Sequence, residues 1–255
     1  MNDRVLTIIA DKDEVACDGR LRLRGKETLG LYPGLFTLEC WNLSEDSFLQ
    51  LSRARMLHVW CGNSCLAFGD VSDLYRRTVP EGEITTVAFA KGLSLWKTPV
   101  CLSVVSGKSV SETVSQVLST VSESEGPDIS LLSWPCDDPV FFRGQAFHDR
   151  AALCLSSVLS AAGAKGNLIP AGLCVIPDKG LPVSIHLTER DLVDAPSFTA
   201  GNLMVISTLP IGWQVGATVE LEYGGYIRVG IIVERGFDLD TNSGSWKTEL
   251  LVELK

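Results

Sequence analysis

The sequence is poor in basic residues and in histidine. Of its 255 residues, 22 are Lys or Arg, 31 are Asp or Glu and three are His, so the formal net charge is −9. A protein that binds the phosphate backbone of a nucleic acid needs a broad basic surface. This composition therefore argues against a nucleic-acid-binding protein. The acidic surplus lies after residue 108, since residues 1–108 hold 13 acidic and 13 basic side chains.

Long hydrophobic runs are also lacking. The first apolar run, residues 5–10, is short and follows an acidic rather than a basic start, unlike the start of a secretory leader. The most apolar stretch, residues 151–164, contains three serines and is shorter than the roughly 20 residues that cross a bilayer. We therefore expect no targeting segment and no membrane span, and folding in a cytoplasm.

Short catalytic and metal-binding motifs are missing as well. The sequence contains no Gly-x-Ser-x-Gly, no phosphate-binding loop, no Gly-x-Gly-x-x-Gly, no Cys-x-x-Cys and no His-x3-His, which argues against several common enzyme and zinc sites. The eight cysteines are scattered through apolar runs, as is typical of buried free thiols. Cys61 and Cys65 flank the turn of a predicted hairpin. We predict no metal site and no cofactor.

Three histidines are available for acid–base chemistry. His58 lies in a strand pattern, His148 at the start of a predicted helix and His186 in a predicted strand over residues 183–187. Cys154 is a possible nucleophile for His148, but a separation of six residues places the two on different sides of a helix. Since polar contacts that anchor a fold are commoner than catalytic ones, no catalytic residue is assigned.

Two further groups keep other functions open. Glu189, Asp191 and Asp194 are the densest carboxylates; after Thr188 they fit a capped helix start, although a glycosidase also needs two carboxylates. Four tryptophans lie next to Pro or Gly, at strand ends or in loops: Trp96, Trp134, Trp213 and Trp246. Tryptophans at such positions are able to stack on sugars, but they more often fill a barrel end or an interface.

Strand patterns dominate residues 1–108. They cover residues 35–41, a hairpin over 57–61 and 66–71, then 83–90 and 99–105, with one short helix predicted over 44–54. The pattern is typical of a small antiparallel barrel or sandwich.

The periodicity changes in residues 109–178. Ser109 and Glu112 have capping-box spacing before a predicted helix over 110–121, and an acidic loop over 122–138 follows. A second helix over 149–164 and a hairpin over 167–176 complete the segment. We interpret it as an α+β insertion.

Residues 179–255 return to strand patterns, at 204–207, 218–223, 226–234 and 248–254, with turns at 224–225 and 240–244. The hairpin around Gly62 and the hairpin around Gly224 are alike, since each is followed by a second glycine, Gly69 or Gly230. The predicted fold is mainly β: two small antiparallel β-barrel-like domains, 1–108 and 179–255, flank the α+β insertion of 109–178.

Four stretches resemble the hub proteins of bacteriophage tail baseplates. They are residues 82–96 (GEITTVAFAKGLSLW), 104–114 (VVSGKSVSETV), 181–188 (LPVSIHLT) and 238–251 (DLDTNSGSWKTELL). Such hubs are structural proteins, so the resemblance implies a chain without enzymatic activity.

The resemblance also implies an assembly. It predicts a homotrimeric, pseudo-sixfold ring that joins a sixfold tail-tube protein to a threefold spike or tail-tip protein and contacts other baseplate components. DNA would pass through its channel without specific binding, and the acidic balance suits such a channel. The location implied is the virion tail baseplate, assembled in the host cytoplasm. A cell-wall hydrolase and a carbohydrate-binding tail-tip protein are the alternatives.

Overall fold

The computed structural model describes residues 4–124, 127–199, 201–209, 213–242 and 244–255. Its helices, in chain order, are α1 (Glu45–Arg53), α2 (Leu93–Lys97), α3 (Val110–Glu123) and α4 (Ala151–Ser160). Its strands are β1 (Thr7–Ala10), β2 (Asp13–Val15), β3 (Leu21–Thr28), β4 (Gly34–Trp41), β5 (Met56–Cys61), β6 (Ser64–Val79), β7 (Gly82–Lys91), β8 (Pro99–Val104), β9 (Leu131–Ser133), β10 (Gln145–Arg150), β11 (Ala164–Ile169), β12 (Gly172–Pro177), β13 (Val183–Thr188), β14 (Ser197–Thr199), β15 (Leu203–Thr208), β16 (Thr218–Tyr223), β17 (Tyr226–Asp240) and β18 (Trp246–Leu254).

Thirteen strands of the described part of the chain form one sheet. Its path runs β14-β15-β18-β17-β3-β4-β7-β6-β5-β1-β2, with β16 beside β17 and β13 beside β16. The pairing of β13 with β16 is parallel, and the other pairs of this sheet are antiparallel. Within the described residues the two ends of the path do not pair with each other. The predicted fold class, mainly β with an α+β insertion, is confirmed.

The described residues form three hydrophobic cores. The first core includes Ile8 of β1 and Leu23 of β3, strands that are five places apart in the sheet, so the first half of the sheet curls around it. The second core includes Met204 and Val252. The insertion has a third core, in which α3 packs against α4. The domain boundaries 1–108, 109–178 and 179–255 remain a prediction.

Capping residues mark the starts of α1 and α3. Ser44 caps α1 by accepting the backbone N–H of Ser47 at 3.2 Å, and Ser109 and Glu112 form the predicted capping box of α3. Each cap satisfies backbone donors that an α-helix leaves unpaired. Among the described residues, no helix combines the length and the apolarity that a membrane crossing requires.

The second helix of the insertion is shorter than predicted. Residues 145–150 form strand β10 and pair with β8, so α4 begins at Ala151 and His148 lies on a strand. Gly163, with a φ of +60°, follows the end of α4 and adopts the left-handed conformation that glycine tolerates. The backbone pairing with β8 decides the boundary, which helical periodicity alone cannot show.

Two further segments differ from the prediction. Strand β8, predicted within the first β unit, pairs with β10 and contributes Val100, Leu102 and Val104 to the core of the insertion. The predicted loop over 122–138 contains β9, which runs parallel to β12. In that loop Glu125 and Gly126 lie outside the described residues, as does Ser243 in the turn over 240–244.

Candidate assembly site

The two β halves have the same strand order. The first half runs β3-β4-β7-β6-β5-β1 across the sheet, and the second runs β14-β15-β18-β17-β16-β13. We number the six strands of each half by their order along the chain and leave out the three-residue strand β2, which extends the first half beyond β1. Both halves then read 2-3-6-5-4-1. The one difference in direction is the last pair, which is antiparallel for β5 and β1 but parallel for β16 and β13. The opening and closing segments are therefore a matched pair.

The match extends to the register of individual residues. Gly69 lies opposite Leu57 in the first hairpin, and Gly230 lies opposite Val219 in the second. A bulge follows each glycine at the same distance, between Val71 and Asp73 in β6 and between Ile232 and Glu234 in β17. The similarity of the two hairpins seen in the sequence thus reflects equivalent positions in the two halves.

The two glycines are required by the same close approach of strands. A Cβ atom on Gly69 would lie 2.3 Å from the backbone of Ala90, and one on Gly230 would lie 2.5 Å from the carbonyl oxygen of Glu253. Ala90 and Glu253 are themselves equivalent, since they lie opposite Asp70 and Ile231, the residues that follow the two glycines. Each half therefore bends its long strand at a residue without a side chain.

The halves are joined through strand β17. Its first part pairs with β16, and residues 234–240 pair with β3 of the first half. The same strand contributes Ile232 to the second core but Phe237 and Leu239 to the first. One strand thus belongs to both halves and fixes their relative position.

A buried ionic cluster lies where the three segments meet. The Glu27 carboxylate of β3 accepts from Lys91 of β7 and from Arg235 of β17, and all three side chains are at least 95% buried. Lys91 Nζ also donates to Asn167 Oδ1 of the insertion at 3.0 Å. The amide of Asn167 donates to the carbonyl of Val215 at 3.0 Å. These contacts link the first half, the insertion and the second half.

The charge state of the cluster follows from its surroundings. Burial by itself raises the pKa of Glu27, but the charges of Arg235 and Lys91, together with the hydrogen bonds that both donate, hold the pKa below its ordinary value. Glu27 is therefore ionised in the folded protein. Arg235 also donates to the carbonyl of Leu66 at 2.8 Å and to the carbonyl of Trp213. The sequence analysis does not single out Glu27, Lys91 or Arg235. The feature that marks them in the sequence is a charged residue at a core-facing position of a strand pattern.

The face of the sheet opposite the cores carries alternating charges, and we call it the charged face. Here Arg24 and Arg77 lie 2.9 and 3.1 Å from Glu39. Across the junction of the halves, Arg22 lies 3.2 Å from Asp238, and the ammonium of Lys26 lies 2.7 Å from Glu234. Ion pairs therefore cross β6, β7, β4, β3 and β17 on one continuous surface.

The histidines lie apart from one another. His58 stacks on Phe68 with 5.9 Å between ring centroids, and burial lowers its pKa. His148 Nε2 lies 3.7 Å from Cys101 Sγ, across the β8–β10 pair. The thiol beside His148 is therefore that of Cys101 and not that of the candidate Cys154, which is buried in the insertion. His186 lies 3.1 Å from Glu220 on the surface.

The carboxylates near residue 190 have structural partners. Asp191 accepts from the backbone N–H and the hydroxyl of Thr188, both at 2.8 Å, and these hydrogen bonds lower its pKa. A general acid needs the opposite shift. Glu189 accepts from the backbone N–H of Gly224 at 2.7 Å, and Asp194 lies 3.9 Å from Lys247. The set is a capped 3-10 turn, Glu189–Asp191, as the spacing predicted.

The four tryptophans pack against cores. Trp96 and Trp134 lie on the core of the insertion, Trp213 on the second core and Trp246 on the first. Trp96 donates to the carbonyl of Leu31 at 2.6 Å, and Trp134 to the carbonyl of Asp137 at 3.2 Å. All four are half-buried, so part of each ring is covered by the core beside it.

The cysteines form no disulfide bonds. All eight cysteines are free thiols, and burial raises the pKa of Cys61 and raises that of Cys65 to about 12. No group of three metal-binding side chains occurs among the described residues.

A cavity of about 170 Å³ between the first half and the insertion is lined by His58 and Asp70. Burial raises the pKa of Asp70, so both groups are shifted toward their neutral forms.

Comparison with known proteins gives matches in structure and none in sequence. No family model matches the chain, and no curated protein matches it. A tail protein from Neisseria meningitidis is similar over 97% of this chain and 95% of its own, with a TM-score of 0.71 and 12% identity. A 43 kDa prophage tail protein from Shewanella oneidensis is similar over 97% of both chains, with a TM-score of 0.67 and 12% identity.

A third similar structure comes from Escherichia coli. It is a component of the type VI secretion system with structural similarity to the bacteriophage T4 tail proteins gp27 and gp5. The similarity covers 97% of this chain and 76% of that one, with a TM-score of 0.67 and 10% identity. The resemblance found in the sequence is therefore confirmed at the level of the fold. This chain has the fold of these phage tail proteins.

Proposed function

We propose that this protein is the structural hub of a phage tail baseplate. Three copies form a ring around the DNA channel and join the sixfold tail tube to the threefold spike or tip. In this role the protein works through its shape and its interfaces, and no residue of it performs chemistry.

One observation carries the proposal: each chain contains two β halves with the same strand order and the same register. A ring of three such chains presents six similar modules on one side while keeping threefold symmetry. This is what an adaptor between six tube subunits and a three-chain spike requires. A chain with unrelated halves would give only threefold contacts.

The position of α1 relative to the sheet supports an assignment of the face that lines the proposed channel. α1 places Leu51 in the first core, so this helix lies on the core side of the sheet, opposite the charged face. The outside of a ring has room for added layers and its inside does not, so we assign the charged face to the channel. Paired charges such as Arg24–Glu39 leave little net positive charge there to hold phosphates.

The proposal is tested by the mass and symmetry of the purified full chain. Light scattering is expected to give three times the chain mass of 27.6 kDa, and electron microscopy to give rings with six densities of similar size. Binding to the tail-tube protein of the same phage is expected in a pull-down. A monomer that binds neither tube nor spike protein would disprove the proposal.

A further inference from the structure

Two cysteines lie side by side where β3 begins and β4 ends. Leu21, the first residue of β3, pairs with Cys40, and the backbone N–H of Trp41 donates to the carbonyl of Arg20 at 2.9 Å. The chain before Leu21 therefore continues along the end of β4. Cys17 packs against the first core, to which Cys40 belongs, and the two thiols are hydrogen-bonded to each other.

Contacts on both sides hold Cys17 in this place. The hydroxyl of Ser47 in α1 donates to the carbonyl of Ala16 at 2.8 Å. A Cβ atom on Gly19 would lie 2.1 Å from the carbonyl oxygen of Trp41, so the chain passes close to β4 at a residue without a side chain. The neighbours of Cys17 in the chain are thus fixed to α1 and to β4, which keeps its thiol against the first core.

The two thiols differ in exposure and in protonation. Cys40 is fully buried, whereas Cys17 is half-buried. The hydrogen bond from Cys40 lowers the pKa of Cys17 to about 7, against the effects of burial and of the Asp18 charge. The same contact raises the pKa of Cys40, and burial raises it further. Cys17 therefore carries the thiolate, the nucleophilic form of a cysteine, and Cys40 keeps its proton.

Five other cysteines show the opposite shift. Burial raises their pKa and so lowers the fraction of nucleophilic thiolate; they are Cys61, Cys65, Cys136, Cys154 and Cys174. Cys17 differs from these five because it combines a lowered pKa with a second thiol in contact.

We propose that Cys17 and Cys40 are a redox pair, which a small-molecule disulfide converts to a disulfide bond that locks the start of β3 to the end of β4. A disulfide brings two sulfur atoms to about 2.05 Å, so two thiols already in contact need only a small movement. A reducing cytoplasm keeps such thiols open, and an oxidising medium lets them close. The inference goes beyond the proposed function and does not depend on it.

The reaction is a thiol–disulfide exchange in two steps. The Cys17 thiolate attacks one sulfur of the oxidant, the S–S bond of the oxidant breaks, and the other half leaves as a thiolate that takes up a proton from solvent. A mixed disulfide remains on Cys17. Cys40 then gives its proton to solvent, its sulfur attacks the Cys17 sulfur, and the second half of the oxidant leaves as a thiol. The protein loses two electrons and two protons, and the oxidant gains them.

Oxidised glutathione tests the proposal on the purified full chain. The background is Cys101→Ser, which removes the exposed cysteine. After oxidation the folded protein is expected to have lost two free thiols, and the remaining thiols are blocked before digestion. Trypsin places the two cysteines on separate peptides, 13–20 and 27–53. Mass spectrometry should therefore find these two peptides linked.

Matched variants separate the roles of the two thiols. In Cys40→Ala the reaction should stop at a mixed disulfide of glutathione with Cys17. In Cys17→Ala the buried Cys40 should gain neither glutathione nor a link. The variant Cys61→Ser/Cys65→Ser keeps the pair and should give the same linked peptides as the background protein.

Thermal unfolding tests the lock. The disulfide closes the loop from residue 17 to residue 40, which contains all of β3, and so restricts the unfolded chain. Oxidation is expected to raise the midpoint of unfolding by about 5 °C, and reduction with dithiothreitol should reverse the gain. Cys17→Ala treated in the same way should show no rise.

Each outcome decides one part of the proposal. A folded background protein that keeps both thiols free after oxidation, or that links Cys17 or Cys40 to a different cysteine, would overturn the redox pair. Linked peptides without a rise in the midpoint would overturn the lock. Linked peptides with a reversible rise would establish both, whether or not the chain forms a trimer.

Discussion

The Glu27 carboxylate lies between two buried cations, Lys91 and Arg235. Replacing it by Gln leaves Lys91 and Arg235 buried without a counter-charge. Loss of one partner from a buried ion pair costs about 3–5 kcal/mol, so we expect Glu27→Gln to lower the free energy of unfolding by that amount. Denaturant unfolding followed by circular dichroism measures it.

The control for this substitution is Glu249→Gln. Glu249 pairs with Lys247 at 2.7 Å, but both side chains are partly exposed. Exposed pairs contribute about 0–1 kcal/mol, so this variant should unfold almost as the parent does. Equal losses of unfolding free energy in Glu27→Gln and Glu249→Gln would contradict a structural role for the buried cluster.

The same residue predicts a pH dependence. The pKa of Glu27 is held below its ordinary value of 4.5, so its contribution to stability is present above that value and is lost as the pH falls through the lowered pKa. The difference in melting temperature between the parent and Glu27→Gln should therefore be largest near neutral pH and shrink below pH about 4. Melting curves across this range measure it; a difference that is unchanged at low pH would refute the assignment.

At the scale of the elements, the long strand β17 offers a direct comparison between two of its glycines. A Cβ on Gly230 would lie 2.5 Å from the Glu253 carbonyl oxygen, whereas on Gly236 the nearest contact would be 3.8 Å away. Forcing an extra methyl into a packed site costs about 1–3 kcal/mol. We expect Gly230→Ala to be destabilised by this amount and Gly236→Ala to stay within about 1 kcal/mol of the parent.

Thermal unfolding of the two alanine variants, with Gly69→Ala as the equivalent of Gly230→Ala, decides the matter. The two halves bend at equivalent glycines, so Gly69→Ala should match Gly230→Ala. If Gly236→Ala proved to be less stable than Gly230→Ala, the close approach of β17 and β18 would not be the reason for a glycine at position 230.

The elements also show where sequence patterns stop being informative. α1 and α3 were predicted to within a few residues, because caps and helical periodicity are local signals. Strand β3 was missed because Arg22, Arg24 and Lys26 alternate with its apolar residues, and these charges are matched only by acidic residues more distant along the chain, such as Asp238. β8 was found, but its partner β10 was not.

On the scale of the whole molecule, the three cores are tied together. β17 contributes to two of them, and the Glu27 cluster links both halves to the insertion through Asn167. We therefore expect the full chain to unfold in one cooperative transition, with equal calorimetric and van't Hoff enthalpies. Differential scanning calorimetry measures it, and two separated transitions would show instead that the halves are independent units.

The sequence by itself determined the strand-rich pattern, the starts of α1 and α3, the hairpins and the resemblance to tail hub proteins, because these depend on neighbouring residues. Only the tertiary structure decided that the two halves share one sheet through β17 and β3. It also placed Glu27, Lys91 and Arg235 together, although they are far apart in the chain. Such contacts depend on the register between distant strands, which is set by long-range packing and by complementary charge, and no local pattern encodes it.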